Sequence, residues 1–371
     1  MVLDDARYGL WPIHEGPGLN VAAVENALRS LWTEHATNGE EALLRGRALN
    51  LIVWMEDEAG FDETQAALDE IIIAHPCRAL FLLINSDAPS RTARAYIAAR
   101  CVRAEARSPR LCGEQILFIA NPDLQAELLS AVAVLLYSDL PTFLWWKGAS
   151  CDDEIFYKLC ELSDRAIVDS SLSRKLHDQF RSLDRLLRDK TLDEVVLSDL
   201  EWARINEWRA TLAESYDTLS GRAAIRYART VSIEHTPFKG ERSSPQALLF
   251  AGWLASRLKW RLITPTGPSL LFDADDRRIE LRLRQNEAQG IEPGRLTAVE
   301  FMAGAEPSLR ISLSESGGHI ETRISGRKSN HVARCDDRSE GCLMRRELEE
   351  LGRDHVYEQA LSSALEILET L

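Results

Sequence analysis

The sequence predicts an α/β protein, in which an N-terminal open, Rossmann-like α/β sheet precedes an α+β part with an antiparallel β-meander and packed helices. Three observations carry this. Short, continuously apolar runs alternate with helical patterns through the first half, four runs of apolar-polar alternation occupy the second, and a polar helical stretch at 174–194 lies between them. Continuous apolar runs suit strands buried on both faces of a parallel sheet, whereas alternation suits a sheet with one wet face. A chain of 371 residues exceeds what one hydrophobic core usually supports, so two domains are expected, 1–172 and 173–371.

In chain order, 20–32 places Val21, Val24, Leu28 and Leu31 at helical spacing behind Asn20, a residue that caps helices well. The run 48–55 is of strand type. Helical spacing returns over 62–75, and Pro76 ends it. Three more strand-type runs follow at 77–85, 114–120 and 141–147, with a Pro122-initiated helix before the last and a further short strand at 165–171. In the second half, 243–260 begins with a serine cap and Pro245 and is apolar nearly all round, which predicts a buried helix. The alternating runs are 279–284, 297–303, 309–314 and 319–325. They form a meander whose apolar face is Ile279, Leu281, Leu283, Val299, Phe301, Leu309, Ile311 and Leu313. The last helix turns Tyr357, Leu361, Ala364 and Leu368 inward.

The net charge of −14 argues against a general binder of nucleic acid or anionic membrane, both of which need a basic footprint. The apolar stretch 128–146 is interrupted by Ser138-Asp139 and Pro141, so it reads as a helix, a turn and a strand. The first ten residues lack a signal-peptide layout, and seven irregularly spaced cysteines suit a reducing compartment better than a disulfide framework. A cytoplasmic protein is expected.

No G-x-G-x-x-G follows a strand, and there is no P-loop, G-x-S-x-G or H-E-x-x-H. No catalytic residue, metal or cofactor is therefore nominated. "HPCR" (75–78) sets Cys77 between a histidine and an arginine. It reads as a nucleophile, a redox-sensitive thiol, or a helix-to-strand junction with a buried cysteine. His319, His331, Cys335 and Cys342 offer zinc-type ligands without a C-x-x-C pair, and Cys335 and Cys342 are also spaced for a reversible disulfide or for two unrelated thiols. Arg282, Arg284, Arg310 and Arg323 share the polar meander face with Glu280, Glu300 and Glu321. That face either docks an acidic partner or a phosphorylated metabolite, or is simply solvated.

Two tryptophan pairs stand out. Trp145 and Trp146 point to opposite faces of a strand, so either both are core or one lines a cleft at the strand's carboxyl end, where open α/β sheets bind ligands. In "DLEWARINEWR" (199–209), Trp202 and Trp208 diverge by roughly 120° if the segment is one helix, with Arg204 and Arg209 beside them. Tryptophan and arginine are enriched at the energetic centres of interfaces.

Five stretches together resemble the glucose-6-phosphate dehydrogenase assembly protein (OpcA) family: "HPCRAL" (75–80), "DLPTFLWW" (139–146), "DLEWARINEWR" (199–209), "PQALLFAGWLASRL" (245–258) and "ELEELGRDHVYEQAL" (347–361). The resemblance implies a non-catalytic partner that binds glucose-6-phosphate dehydrogenase, favours its active oligomer and so feeds NADPH production. The partner-binding candidates are then Trp145, Trp146, Trp202, Arg204, Trp208 and Arg209. The family's link to thioredoxin makes thioredoxin a further candidate partner, with Cys77, Cys335 and Cys342 as redox candidates. The competing expectation is a sugar-phosphate sensor or enzyme using Lys147, Arg78 and a carboxylate in a cleft at the strand ends.

Overall fold

A computed structural model of the chain describes residues 7–37, 43–103, 110–189, 192, 194–263, 270–274, 277–304, 307–314, 316–325, 327–334, 338–350 and 352–371. The chain divides into two compact units. The first comprises Met1–Leu172, Asp189–Ser198 and Ser339–Arg353, and the second Ser173–Arg188, Asp199–Arg338 and Asp354–Leu371.

The first unit begins with β1 (Trp11–Pro17), α1 (Val21–Thr37), β2 (Leu43–Arg45), β3 (Leu49–Met55), α2 (Phe61–Ala74) and β4 (Cys77–Ile84). It continues with β5 (Thr92–Val102), β6 (Arg110–Ala120), α3 (Gln125–Leu135), β7 (Thr142–Trp146), α4 (Glu154–Cys160) and β8 (Arg165–Val168). Helix α5 (Leu176–Arg188) belongs to the second unit, and β9 (Val196–Asp199) completes the first sheet. The sheet order is β1-β5-β6-β4-β3-β7-β8-β9, with β2 beside β6. Strands β6, β4, β3, β7 and β8 are mutually parallel. Numbered by their appearance in the chain, they run 3-2-1-4-5, the doubly wound order, whose direction reverses between β3 and β7. Every residue of β3, β4 and β7 is buried, which is why their sequences are apolar without alternation. The long β5 pairs antiparallel with both β6 and β1, an extension the apolar-run pattern did not announce.

Trp146 stacks on Trp54, its in-register neighbour on β3, with ring centroids 5.3 Å apart, and meets Phe156 of α4 at 4.9 Å. Its Nε1 donates to the Ser150 carbonyl at 3.1 Å. Trp145 points to the opposite face, under the Lys147 ammonium. Both tryptophans are core, 0% and 1% exposed. Gly148 follows because a Cβ there would stand 2.6 Å from the Trp146 ring.

The second unit adds α6 (Leu200–Arg204), α7 (Asn206–Asp217), α8 (Leu219–Arg226), β10 (Thr230–His235), α9 (Pro245–Arg257), β11 (Arg261–Ile263) and β12 (Leu270–Ala274). Next come β13 (Arg277–Gln285), β14 (Leu296–Met302), β15 (Pro307–Leu313), β16 (His319–Ile324) and β17 (Arg327–Arg334). Helix α10 (Glu340–Glu349) returns to the first unit, and α11 (His355–Leu368) ends the second. The second sheet runs β11-β12-β13-β10-β14-β15-β16-β17. Strands β14 to β17 form an antiparallel meander. The run at 279–284 is not next to it, because β10 lies between, parallel to β13 and antiparallel to β14. β10 alternates Val231 and Ile233 with Ser232 and Glu234 over only six residues, a strand-type pattern too short to stand out in the sequence. Of the expected apolar face, Leu283 and Leu313 are only half-buried, and Ile320 is buried with the rest. Ser244 caps α9 by accepting from the Ala247 amide at 3.2 Å, and α9 packs so closely on α11 that a Cβ on Gly252 would lie 2.1 Å from the Ala360 carbonyl. In α11 Tyr357, Leu361 and Ala364 are buried, but Ile367 rather than Leu368 completes the inward face.

Candidate functional site

In a doubly wound sheet, ligands lie in the crevice outside the carboxyl ends of the strands where the order reverses, here beyond β3 and β7. In this chain the crevice is closed by its own residues. Lys147, just past β7, is 8% exposed and pairs with Glu340 at the start of α10 at 2.7 Å. Glu56, just past β3, accepts from the Ala149 amide at 3.0 Å. The loop into α2 carries Asp57 and Glu58, and the first turn of α2 carries Asp62 and Glu63. Asp62 is engaged by Tyr8 and Arg7, and the Tyr8 hydroxyl, followed by Arg7, holds its carboxyl below the usual range. A dinucleotide's pyrophosphate needs amide donors at this helix start, and four carboxylates oppose it.

Arg78 does not join Lys147. It stands at the amino end of β4, level with Thr142 at the start of β7. Five residues of strand separate Thr142 from Lys147, about 16 Å. The expected cleft holding Lys147, Arg78 and a carboxylate therefore does not form; the two cations sit at opposite ends of the central strands.

Arg78 instead belongs to a buried polar row across four in-register strands: Glu114 on β6, Arg78 on β4, Asn50 on β3 and Thr142 on β7. Arg78 and Glu114 are 3% and 1% exposed, and Arg78 Nε donates to Glu114 at 2.7 Å. Glu114 also accepts from Trp32 Nε1 at 2.8 Å, from the Tyr137 hydroxyl at 2.9 Å and from Arg45. Arg78 Nη1 reaches Glu25 and the Leu135 carbonyl, both at 2.7 Å, and its guanidinium lies 3.9 Å from the Tyr137 ring centroid. Burial opposes the Arg78 charge, but Glu114, with Tyr137 and Glu25, more than offsets it, and the guanidinium is held above its ordinary range. Burial, reinforced by Glu114, also raises the Tyr137 phenol. Asn50 exchanges hydrogen bonds with the backbone of Tyr137, 2.9 and 3.0 Å, which ties down the α3–β7 turn. Two stretches that carried the resemblance, "HPCRAL" and "DLPTFLWW", thus flank Asn50 in this row through Arg78 and Thr142. With every member paired, the row orders the sheet rather than presenting a reactive group.

The segment 199–209 is not one helix. It breaks at Ile205 between α6 and α7, and both tryptophans turn inward. Trp202 Nε1 donates to Asp354 at 2.7 Å, and the Arg209 guanidinium lies 3.5 Å from the Trp202 ring centroid. Trp208 is 1% exposed. Arg204 pairs with Glu201 at 2.5 Å and accepts through its carbonyl from Arg338 at 2.8 Å. As folded, Trp145, Trp146, Trp202 and Trp208 are all buried and offer no surface to a partner.

Cys77 is fully buried at the helix-to-strand junction, and burial, with Glu114 next, pushes its thiol up to about 12. This is the inert environment of the three read from "HPCR". Roughly one Cys77 thiol in ten thousand is then ionised at pH 8. Iodoacetamide is expected to modify it only after unfolding, which peptide mass spectrometry reads directly; labelling of the native protein at the rate of an exposed cysteine would contradict the assignment. Cys335 and the His331 side chain lie outside the described residues. His319 pairs with Glu321 in the second unit, and Cys342 is half-buried on α10 of the first. Cys101 and Cys112, directly opposite on β5 and β6, form a disulfide with their Cα atoms 4.1 Å apart. Cysteine spacing gave no sign of it, since strand register decides which residues face each other. One cross-strand bridge is also not the framework of a small secreted domain. Among the described residues, no helix is long and apolar enough to cross a membrane.

Residues 68–185 match the family model described as the glucose-6-phosphate dehydrogenase subunit N-terminal domain, and 195–361 match that subunit's C-terminal domain. The chain is 28% identical over 316 residues to the "Putative OxPP cycle protein OpcA" of Nostoc punctiforme, covering 79% of this chain and 65% of that protein. It is 25% identical over 328 residues to the protein of the same name from Synechocystis, covering 83% and 66%. The chain thus spans slightly less than two thirds of the length of these relatives. A solved structure titled as a putative oxidoreductase from Parabacteroides merdae superposes with a TM-score of 0.50 at 9% identity, covering 89% of this chain and 99% of that one. At that identity the likeness concerns the fold alone. The two domain models follow each other in order over most of the sequence, and the chain belongs to the glucose-6-phosphate dehydrogenase assembly (OpcA) family.

Proposed function

We propose that the chain is a non-catalytic cytoplasmic assembly factor that binds glucose-6-phosphate dehydrogenase, favours its active oligomer and so promotes NADPH production by the oxidative pentose phosphate pathway. The observation that carries this reading is the pair of matches to the dehydrogenase subunit's N- and C-terminal domain models, in order over 68–185 and 195–361, and the strand-end crevice is consistent with it. In a member of this family, the place where a doubly wound sheet would take a cofactor is occupied by the Lys147–Glu340 pair and ringed by carboxylates. A protein acting this way shifts its partner only as far as its affinity differs between the partner's states. A tenfold preference for the active state amounts to about 1.4 kcal/mol of coupling. A thioredoxin contact would need a thiol within reach; Cys77 is fully buried, and Cys342 is half-buried.

The test is steady-state kinetics of the same organism's dehydrogenase with and without saturating chain, alongside mass photometry of the oligomer. The expected result is a higher kcat or a lower KM together with a shift toward the larger assembly, and no NADPH formed by the chain alone. Unchanged kinetics with no complex, or turnover by the isolated chain, would overturn the reading.

A further inference from the structure

Helix α8 buries Gly221, Ala224 and Ile225, with Ala228 just beyond. Its other side carries Leu219, Arg222, Ala223, Arg226 and Tyr227, all exposed. Spacings of three, four, seven and eight place these five on one stripe. Leu219 is 86% exposed and Tyr227 70%, the two most exposed large apolar side chains among the described residues. Tyr216 of α7 adjoins them: the Arg222 guanidinium lies 5.4 Å from its ring centroid, and Arg222 Nε donates to the Tyr216 carbonyl at 3.2 Å.

The charge of the stripe is opposite to that of the chain. Between Leu219 and Arg229 there are three arginines and no acidic residue, on a protein of net charge −14. The nearest carboxylates in sequence, Asp217, Glu214 and Glu234, belong to α7 and β10, and Glu280, whose amide donates to the Arg229 carbonyl, pairs with Arg282. Among the described residues Arg226 and Arg229 make no side-chain hydrogen bond or ion pair. A single exposed leucine is ordinary. Two tyrosines and the unpaired Arg226 are residue types that dominate interface energetics, the leucine beside them adds apolar area, and arginines covered by a partner need carboxylates to meet them.

We propose that this α8 stripe is a docking surface for a folded protein that presents carboxylates around an apolar recess; resting on the function proposed above, that protein is the dehydrogenase. An anionic bilayer fits less well, since the rest of this chain would be repelled by it.

The experiment compares the full wild-type chain with R226E and with L219S/Y227A. Each is checked for an unchanged circular dichroism spectrum and melting temperature, and its affinity for the dehydrogenase is then measured at low and moderate salt. Each variant is expected to weaken binding about tenfold or more, and the wild-type affinity is expected to fall with salt. If the wild type binds and both variants bind equally well, the docking surface is wrong while the assembly function stands. If the wild type does not bind the dehydrogenase at all, both fall. The isolated chains are also tested against phosphatidylglycerol vesicles and by sedimentation. Vesicle binding or self-association that the substitutions abolish, with dehydrogenase binding unaffected, would reassign the stripe to a membrane or to a second copy.

Discussion

Trp146→Ala is expected to destabilise the first unit by about 3–5 kcal/mol, the range for emptying a buried aromatic site. The ring is 1% exposed, sits between Trp54 and Phe156, and its indole N–H is satisfied by the Ser150 carbonyl. Truncation removes two aromatic contacts and leaves a cavity in the middle of the sheet, where strands paired on both edges cannot collapse inward. Trp146→Phe should lose far less, since an aromatic body remains and only the hydrogen bond, about 1 kcal/mol, and some volume are removed. Nine tryptophans make bulk fluorescence a mixed signal, so hydrogen exchange at the β3 and β7 amides under native conditions is the better readout. Unaltered protection in Trp146→Ala would show that the stack contributes little.

Glu114→Leu should cost a similar amount, about 3–5 kcal/mol, for a different reason. The substitution leaves the Arg78 guanidinium buried with only Glu25 and a carbonyl to meet it, and strips the Trp32 and Tyr137 donors of their acceptor. The penalty is that of an uncompensated charge, so removing both partners should be milder than removing one. The double variant Arg78→Met/Glu114→Leu is expected to recover part of the loss, since Arg45 and Arg47 are partly exposed and can turn to water. Denaturant midpoints of the four proteins in this cycle give the coupling energy. A Glu114→Leu protein within 1 kcal/mol of wild type, or a double variant that loses the sum of the two single losses, would show that the row does not act as a unit.

The chemical logic of that row was present in the sequence but pointed elsewhere. Asn50 and Arg78 each sit second in an otherwise apolar strand, and Glu114 lies in mid-strand on β6, just ahead of Gln115 and the apolar run 116–120; a polar residue inside such a run needs a buried partner. Read one run at a time, Arg78 looked like a neighbour of Cys77. Only the parallel register sets it beside Glu114, which is 36 residues away in the chain. The central strands themselves were legible because burial on both faces leaves an uninterrupted apolar run. β5 was not, because its alternating arginines and alanines resemble surface sequence, and neither was β10, whose six residues gain meaning only from the strands on either side. The break at Ile205 had no glycine or proline to announce it, so Trp202 and Trp208 appeared to share a helix. The inward orientation of Trp202 follows from what covers it, Asp354 and Tyr357 of a much later segment.

The return of α10 to the first unit has a bearing on how the polypeptide matures. Glu340, which neutralises the lysine beyond β7, and Glu347, which lies 3.5 Å from the buried Arg165, are made after the whole second sheet. A ribosome that has released the first 172 residues has supplied all the central strands but not the helix that covers α2 and neutralises these two cations. The early portion must therefore wait, incomplete, until nearly the last residues emerge, and the order of synthesis does not coincide with the order in which the two units can be finished.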